Sequence, residues 1–214
     1  MGKTIKSYAV FTSIGYRILA LVVIPIVSLL ISALLLASGE YEFNGIYPEM
    51  LLVSYVVLFE ILSDFWLFGG ICSKEGHQLE YFKTSRAGLG VLERGIIGDL
   101  IRRFLYLAVY GAFCYMFTGQ ITDFLLVLVA YVVTVALLNL TRYIQMFHIY
   151  MAVSMTVSLL VYIVLTVVCW FFADAFGSGS LYAEFVIFGV LAILVSLLSV
   201  WHIGCRMKGS YYEK

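Results

Sequence analysis

The chain has 214 residues, of which 63% are apolar and only 12% charged, and its thirteen basic and thirteen acidic side chains cancel to a net charge of zero. An ordinary soluble domain carries about twice that share of charge, so this composition argues against a surface built to face water all round. It also argues against a polyanion-binding protein. The one stretch rich in cations, residues 72–103, holds six of the thirteen Lys and Arg but interleaves them with Glu75, Glu80, Glu93 and Asp99.

Taken in chain order, six apolar runs are long enough to cross a hydrocarbon layer of roughly 30 Å as helices. They are Ile18 to Ala37, Met50 to Ile71, Ile101 to Thr118, Phe124 to Leu140, Tyr150 to Phe172 and Phe185 to Ile203. Helices are expected rather than barrel strands, because the runs are long and uniformly apolar and backbone polar groups in lipid must be satisfied within each segment. The predicted fold class is therefore an all-α integral membrane protein, a single domain over residues 1–214 with six transmembrane helices and a structured cytoplasmic loop, 72–100, between helices 2 and 3. Pro25 falls inside the first run and predicts a kink. That run is too long for a cleavable signal peptide and lacks a small-residue cleavage site.

Cation placement sets the expected orientation. Every Lys and Arg lies before run one, between runs two and three or at the very start of run three, between four and five, or after run six, whereas the opposite side carries Glu40, Glu42, Glu49, Asp123, Asp174 and Glu184. By the positive-inside rule the chain is a multi-pass protein of the cell membrane with both termini cytoplasmic.

Several chemistries lack their residues. The cysteines Cys72, Cys114, Cys169 and Cys205 form no C-x-x-C pair or metal spacing, and none falls in an external connection where a disulfide is expected. His77, His148 and His202 lie in separate segments near the cytoplasmic edge, which gives no basis for a haem pair, and no H-E-x-x-H is present. No metal site, catalytic residue or cofactor is assigned to this chain, and the glycines of GLGVLERGIIGD are not followed by the Lys-Ser/Thr of a phosphate loop. Gly88 and Gly90 read instead as a break between two short helices. Leu89, Leu92, Ile96 and Leu100 form an apolar stripe of a helix that lies on a surface or leads into a span.

Before that stripe, GHQLEYFKTS combines aromatic and apolar anchors with charge, the make-up of a docking segment. Together with six spans and internal termini, the pattern KEG-x-x-x-x-YFKTSRAG-x-x-x-x-ERG resembles the permease subunits of ABC type 2 exporters. Lys74, Glu75 and Gly76 match the acidic-basic-glycine element of that family; Leu79, Tyr81 and Phe82 match its aromatic segment; Thr84, Ser85 and Arg86 match its turn, although the Leu-Pro common there is absent. The resemblance implies a coupling helix that docks on a separate cytoplasmic ATPase subunit through Glu75, Gly76, Leu79, Glu80, Tyr81, Phe82, Lys83 and Arg86. It implies ATP and Mg bound by that partner, and a path formed with a second copy or a related permease. The alternative is a small six-span binding subunit or carrier of the energy-coupling importer type, whose loops are shorter and whose first span docks through small residues. Here that span offers Ser28, Ser32 and Ala33, with no small-x-x-x-small series beyond Ser28 to Ser32.

Two carboxylates fall within the second run. Glu60 and Asp64 are four residues apart and project from one helix face, either along a substrate path or toward water or an arginine such as Arg17 or Arg103. Tyr55, Tyr115, Tyr131 and Tyr162 lie deep in the runs and are candidates to line a cavity for an amphipathic peptide or lipid-like cargo. Asn139, Thr141, Arg142, Gln145 and His148 cluster between runs four and five, where interfacial capping accounts for them or a second partner contact does.

Overall fold

The computed structural model describes residues 2–37, 57–64, 67, 85, 87–146, 156–157, 159–161, 163–164 and 181–210. Among these residues every regular element is helical and no strand occurs. Two helices contain stretches long and apolar enough to cross a membrane, Thr122–Leu140 and Leu181–His202.

The first helix, α1 (Gly2–Phe11), lies before the first of the six apolar runs. Thr4, Ser7, Tyr8 and Phe11 recur at helical spacing and form its inward face, while Lys3, Ile5, Lys6 and Val10 are exposed. A two-residue turn leads to α2 (Ile14–Ile18), whose N-cap Ser13 accepts a hydrogen bond from the Tyr16 N–H at 3.2 Å. Arg17 then reaches back to the end of α1. Its Nη2 donates to the Ala9 carbonyl at 2.7 Å and the Thr12 carbonyl at 3.0 Å, and its Nε to Thr12 Oγ1 at 2.8 Å. A cation against the free carbonyls of a helix C-terminus is favoured by both hydrogen bonding and the helix dipole. The two short helices are thereby clasped as a pair.

A π-helical segment, Leu19–Val23, joins α2 to α3 (Ile24–Ala37), and the Ile24 N–H bonds to the Leu19 carbonyl five residues back. This wide turn stands immediately before Pro25, where a kink is expected. The next described helix, α4, comprises residues 57–64.

The third run belongs to a much longer element, α5 (Gly88–Thr118), of 31 residues. This corrects the reading of Gly90 as part of a break, while Gly88 is the first residue of the helix. The helix passes through Gly90 without interruption. Residues 88–100, assigned to the loop between the second and third spans, are its first turns. Leu92, Ile96 and Leu100 from that stretch are core residues, at 0%, 1% and 8% exposure, so the stripe leads into the bundle rather than lying on a surface. The helix ends at Gly119, whose φ of 69° is left-handed and whose N–H caps the Tyr115 carbonyl at 2.8 Å. After this turn α6 (Thr122–Met146) runs back along α5, extending beyond the expected 124–140 at both ends. The last helix, α7 (Leu181–Ser210), likewise exceeds its expected 185–203 and packs on α6.

Glycines set how closely these helices approach. A Cβ at Gly98 would lie 2.9 Å from the Tyr8 Cβ, and one at Gly95 would run into the Phe11 ring, so α1 is seated against bare backbone of α5. At Gly111 a Cβ would lie 2.7 Å from Val127 Cγ2, which draws α5 and α6 together. Val57 and Ile61 of α4, Leu107 of α5, and Ala130, Val135 and Leu138 of α6 complete one apolar core. By contrast α7 turns Val186, Ile187, Val190, Ile193, Leu194, Leu197 and Trp201 outward.

Candidate functional site: a buried ion network

Six ionised side chains meet inside this apolar bundle. Glu60 and Asp64 come from α4, Asp99, Arg102 and Arg103 from α5, and Arg142 from α6. The helical register brings them together: Glu60 and Asp64 are one turn apart, and Asp99 lies three and four residues before the two arginines of its own helix. Three carboxylates and three guanidiniums leave the group neutral.

The geometry is closely specified. Arg102 grips Glu60 with both prongs, Nη1 to Oε1 at 2.9 Å and Nη2 to Oε2 at 2.6 Å, and its Nε and Nη2 each reach Asp99 Oδ1 at 3.2 Å. Arg103, at 1% exposure, lies at the centre. Its Nε donates to Asp99 Oδ2 at 2.7 Å, its Nη1 lies 2.8 Å from Glu60 Oε2 and donates to the Glu60 carbonyl at 3.0 Å, and its Nη2 donates to Asp64 Oδ1 at 3.2 Å. Arg142 takes Asp64 from the other side, Nη2 to Oδ1 at 2.6 Å and Nε to Oδ2 at 3.2 Å. Its Nη1 donates to Ser199 Oγ at 2.7 Å, which ties α7 into the group. Ser63 Oγ donates to the Glu60 carbonyl at 2.9 Å.

Each of these ions would cost several kcal/mol to bury alone. Planar guanidiniums meeting carboxylates through paired bonds offset that cost, because two parallel N–H donors match two acceptor oxygens. Such a network contributes little net stability over an apolar packing of equal volume. What it does is fix register: four helices must hold one rotation and one height for all of these contacts to form together.

Alongside it, α6 and α7 share a polar seam. Tyr131 Oη and Ser196 Oγ lie 2.9 Å apart, and Asn139 Nδ2 donates to the Val195 carbonyl at 3.0 Å while its Oδ1 has no partner. Tyr131 is thus buried in a helix contact, edge-on to Phe104 with ring centroids 5.6 Å apart. Tyr115 is 41% exposed and rests against Phe124. Tyr55 and Tyr162, with the docking candidates Glu75, Gly76, Leu79, Glu80, Tyr81, Phe82, Lys83 and Arg86, lie outside the described residues.

Glu60 and Asp64 do project to one side, and Arg103 meets both, beside Arg102 on Glu60 and Arg142 on Asp64. Arg17 is occupied at the end of α1. Three further participants, Asp99, Arg102 and Arg142, are not singled out by the sequence. Asp99 and Arg102 stand among the loop charges, and Arg142 falls in the polar cluster between runs four and five; it is 3% exposed in the middle of the bundle. No family model matches this chain, and neither a curated protein nor a solved structure does.

Proposed function

We propose that the chain is a permease subunit of an ATP-driven exporter. It crosses the cell membrane six times with both termini in the cytoplasm, and forms a translocation path with a second permease chain. ATP and Mg belong to a separate ATPase subunit that docks on residues 75–86. The observation that carries this reading is the continuity of α5. One unbroken helix runs from Gly88, at the end of the candidate docking segment, to Arg102 and Arg103 in the ion network.

A rod of this kind transmits displacement. Residue 103 is fifteen positions beyond Gly88, a distance of roughly 22 Å along the axis. A push on the docking segment therefore arrives at the group that sets the relative positions of four helices. Packed polar contacts of this sort exchange between discrete arrangements rather than deforming smoothly. In this reading Glu60 and Asp64 are interhelical contacts that re-pair as the path opens. The cargo is an amphipathic peptide or lipid-like molecule gathered from the cytoplasm or the inner leaflet, since an apolar bundle suits such a solute.

The test is purification of the full chain with its neighbouring gene products in detergent, followed by ATPase and transport rates in liposomes. Retention of an ATPase without membrane spans is expected in the native protein, with release or uncoupling in Leu79→Ala/Phe82→Ala. A double variant that keeps both partner and coupled rate would remove the docking segment from the argument. Orientation is checked separately in intact cells. Cysteines at Glu42 or Ser178 should react with an impermeant thiol reagent and one at Lys83 should not.

A further inference from the structure

Two cations on α1 stand apart from the ion pairs of the bundle. Lys3 and Lys6 are exposed, and neither is paired with a carboxylate among the described residues. The sequence around them offers none, since the first acidic residue of the chain is Glu40. Val10 continues their stripe at i, i+3, i+7, and Ile5 lies beside Lys6 on the same outward side. Both apolar side chains are bare, Ile5 at 64% and Val10 at 63% exposure. The opposite face of α1 is the one seated on α5, so cations and branched apolar groups are presented together, away from the bundle.

Contacts between the long helices fix the level of α1. Arg103 of α5 and Arg142 of α6 share Asp64, and Arg142 also holds Ser199 of α7, which sets residue 103 near the level of residue 199. Nearer the start of α5, a Cβ at Gly204 of α7 would lie 3.5 Å from Glu93 Oε1. Gly95 and Gly98, where Phe11 and Tyr8 are seated, therefore stand beside the part of α7 between Ser199 and Gly204. The stretch of α7 that is long and apolar enough to span a membrane ends in that interval, at His202. Trp201 is exposed there, and an indole is at home where hydrocarbon gives way to headgroups. When α7 spans a bilayer, α1 lies at headgroup depth.

We propose that this outward face of α1 binds the anionic phospholipids of the leaflet it meets. Lys3 and Lys6 donate to lipid phosphates, while their methylene stems, with Ile5 and Val10, rest on the acyl boundary. A free helix of 10 residues would be marginal in water. Seated on α5, it offers both cations already in register. The inference rests on the membrane-spanning stretches and not on the exporter reading.

The test uses the full-length protein in nanodiscs of phosphatidylcholine alone and of an equal mixture of phosphatidylcholine and phosphatidylglycerol, with amide exchange of α1 followed by mass spectrometry. A lysine near an anionic surface favours the bound form roughly fivefold, so α1 should exchange up to about 25-fold more slowly in the mixture while α6 is the same in both. Raised salt should shrink the difference. Lys3→Gln/Lys6→Gln should abolish it and leave α6 protected. Equal exchange of α1 in the two compositions would overturn the proposal, as would a difference that the glutamine variant keeps. Inorganic phosphate added to the phosphatidylcholine discs should not slow α1; if it did so to the same extent, the site would be one for a soluble anion and the lipid surface would be ruled out. Comparing the two compositions needs no variant, so the proposal stays testable if the substitution fails to fold.

Discussion

Replacing Asp64 by Leu removes the carboxylate that Arg142 approaches at 2.6 Å and 3.2 Å. Arg142, 3% exposed, then loses the carboxylate it is paired with, while its bond to Ser199 Oγ remains. Unit charges about 3 Å apart attract by roughly 5 kcal/mol at an effective dielectric constant near 20. The measured loss should be smaller, since relaxation and water entry intervene, and about 3–5 kcal/mol is expected for one partner of a buried pair. Arg142→Met should cost about 3 kcal/mol, the lower end of that range, because Asp64 still meets Arg103 at 3.2 Å. The double variant removes one charge of each sign and leaves Glu60 and Asp99 against Arg102 and Arg103. It should cost no more than the worse single, which gives a coupling of at least about 3 kcal/mol, the cost of the lesser single, between the two positions. Equilibrium unfolding in mixed detergent–SDS micelles, read by tryptophan fluorescence, measures all four corners of the cycle. Effects that add to within about 0.5 kcal/mol would refute the claim that the network is a single cooperative unit.

Other perturbations follow from the same contacts. Gly98→Ala places a methyl group 2.9 Å from the Tyr8 Cβ and should cost about 1–3 kcal/mol by lifting α1. Gly189→Ala is the matched control: nothing lies within 4 Å of its Cβ, and helix propensity predicts a gain of up to about 1 kcal/mol in the same unfolding assay. Arg17→Gln breaks the clasp on the Ala9 and Thr12 carbonyls, so amide hydrogen exchange in α1 should accelerate while α6 is unchanged. If α6 exchanged equally fast, the clasp would not be local. Ser199→Ala should loosen the hold of α7 on Arg142, with a loss of about 1–2 kcal/mol.

Helix type and the rough extents of α6 and α7 were legible in the sequence because long apolar runs are a local signal, whereas of α5 only the part from Ile101 onward was. The shared direction of Glu60 and Asp64 was legible too, since it needs only helical geometry. Their partners were not. Asp64 meets Arg103 and Arg142 across 39 and 78 residues, and linear charge counting treats such arginines as markers of a membrane boundary. A sharper signal was present in the spacing of Asp99, Arg102 and Arg103, an acid placed to brace two bases on its own helix. Helix α1 escaped notice for another reason: Thr4, Ser7, Tyr8 and Phe11 make an inward face that is too polar and too short to register as an apolar run.

The wide turn at Leu19–Val23 bears on the phase of everything that follows it. Tyr16 and Ile24 flank it and are both core residues, at 6% and 7% exposure. Eight residues of ordinary α-helix make about 2.2 turns, which would carry the second residue off the face of the first. Slower winding through the π-helical segment brings the count closer to two, so both side chains face inward. Pro25, set just after that segment, opposes a return to tighter winding because its ring crowds the carbonyl four residues earlier. An alanine there would suit an isolated helix better, yet it would free the segment to rewind and turn the aromatic-bearing start of the chain about a fifth of a revolution out of step. Local propensity and global alignment pull in opposite directions at this one position.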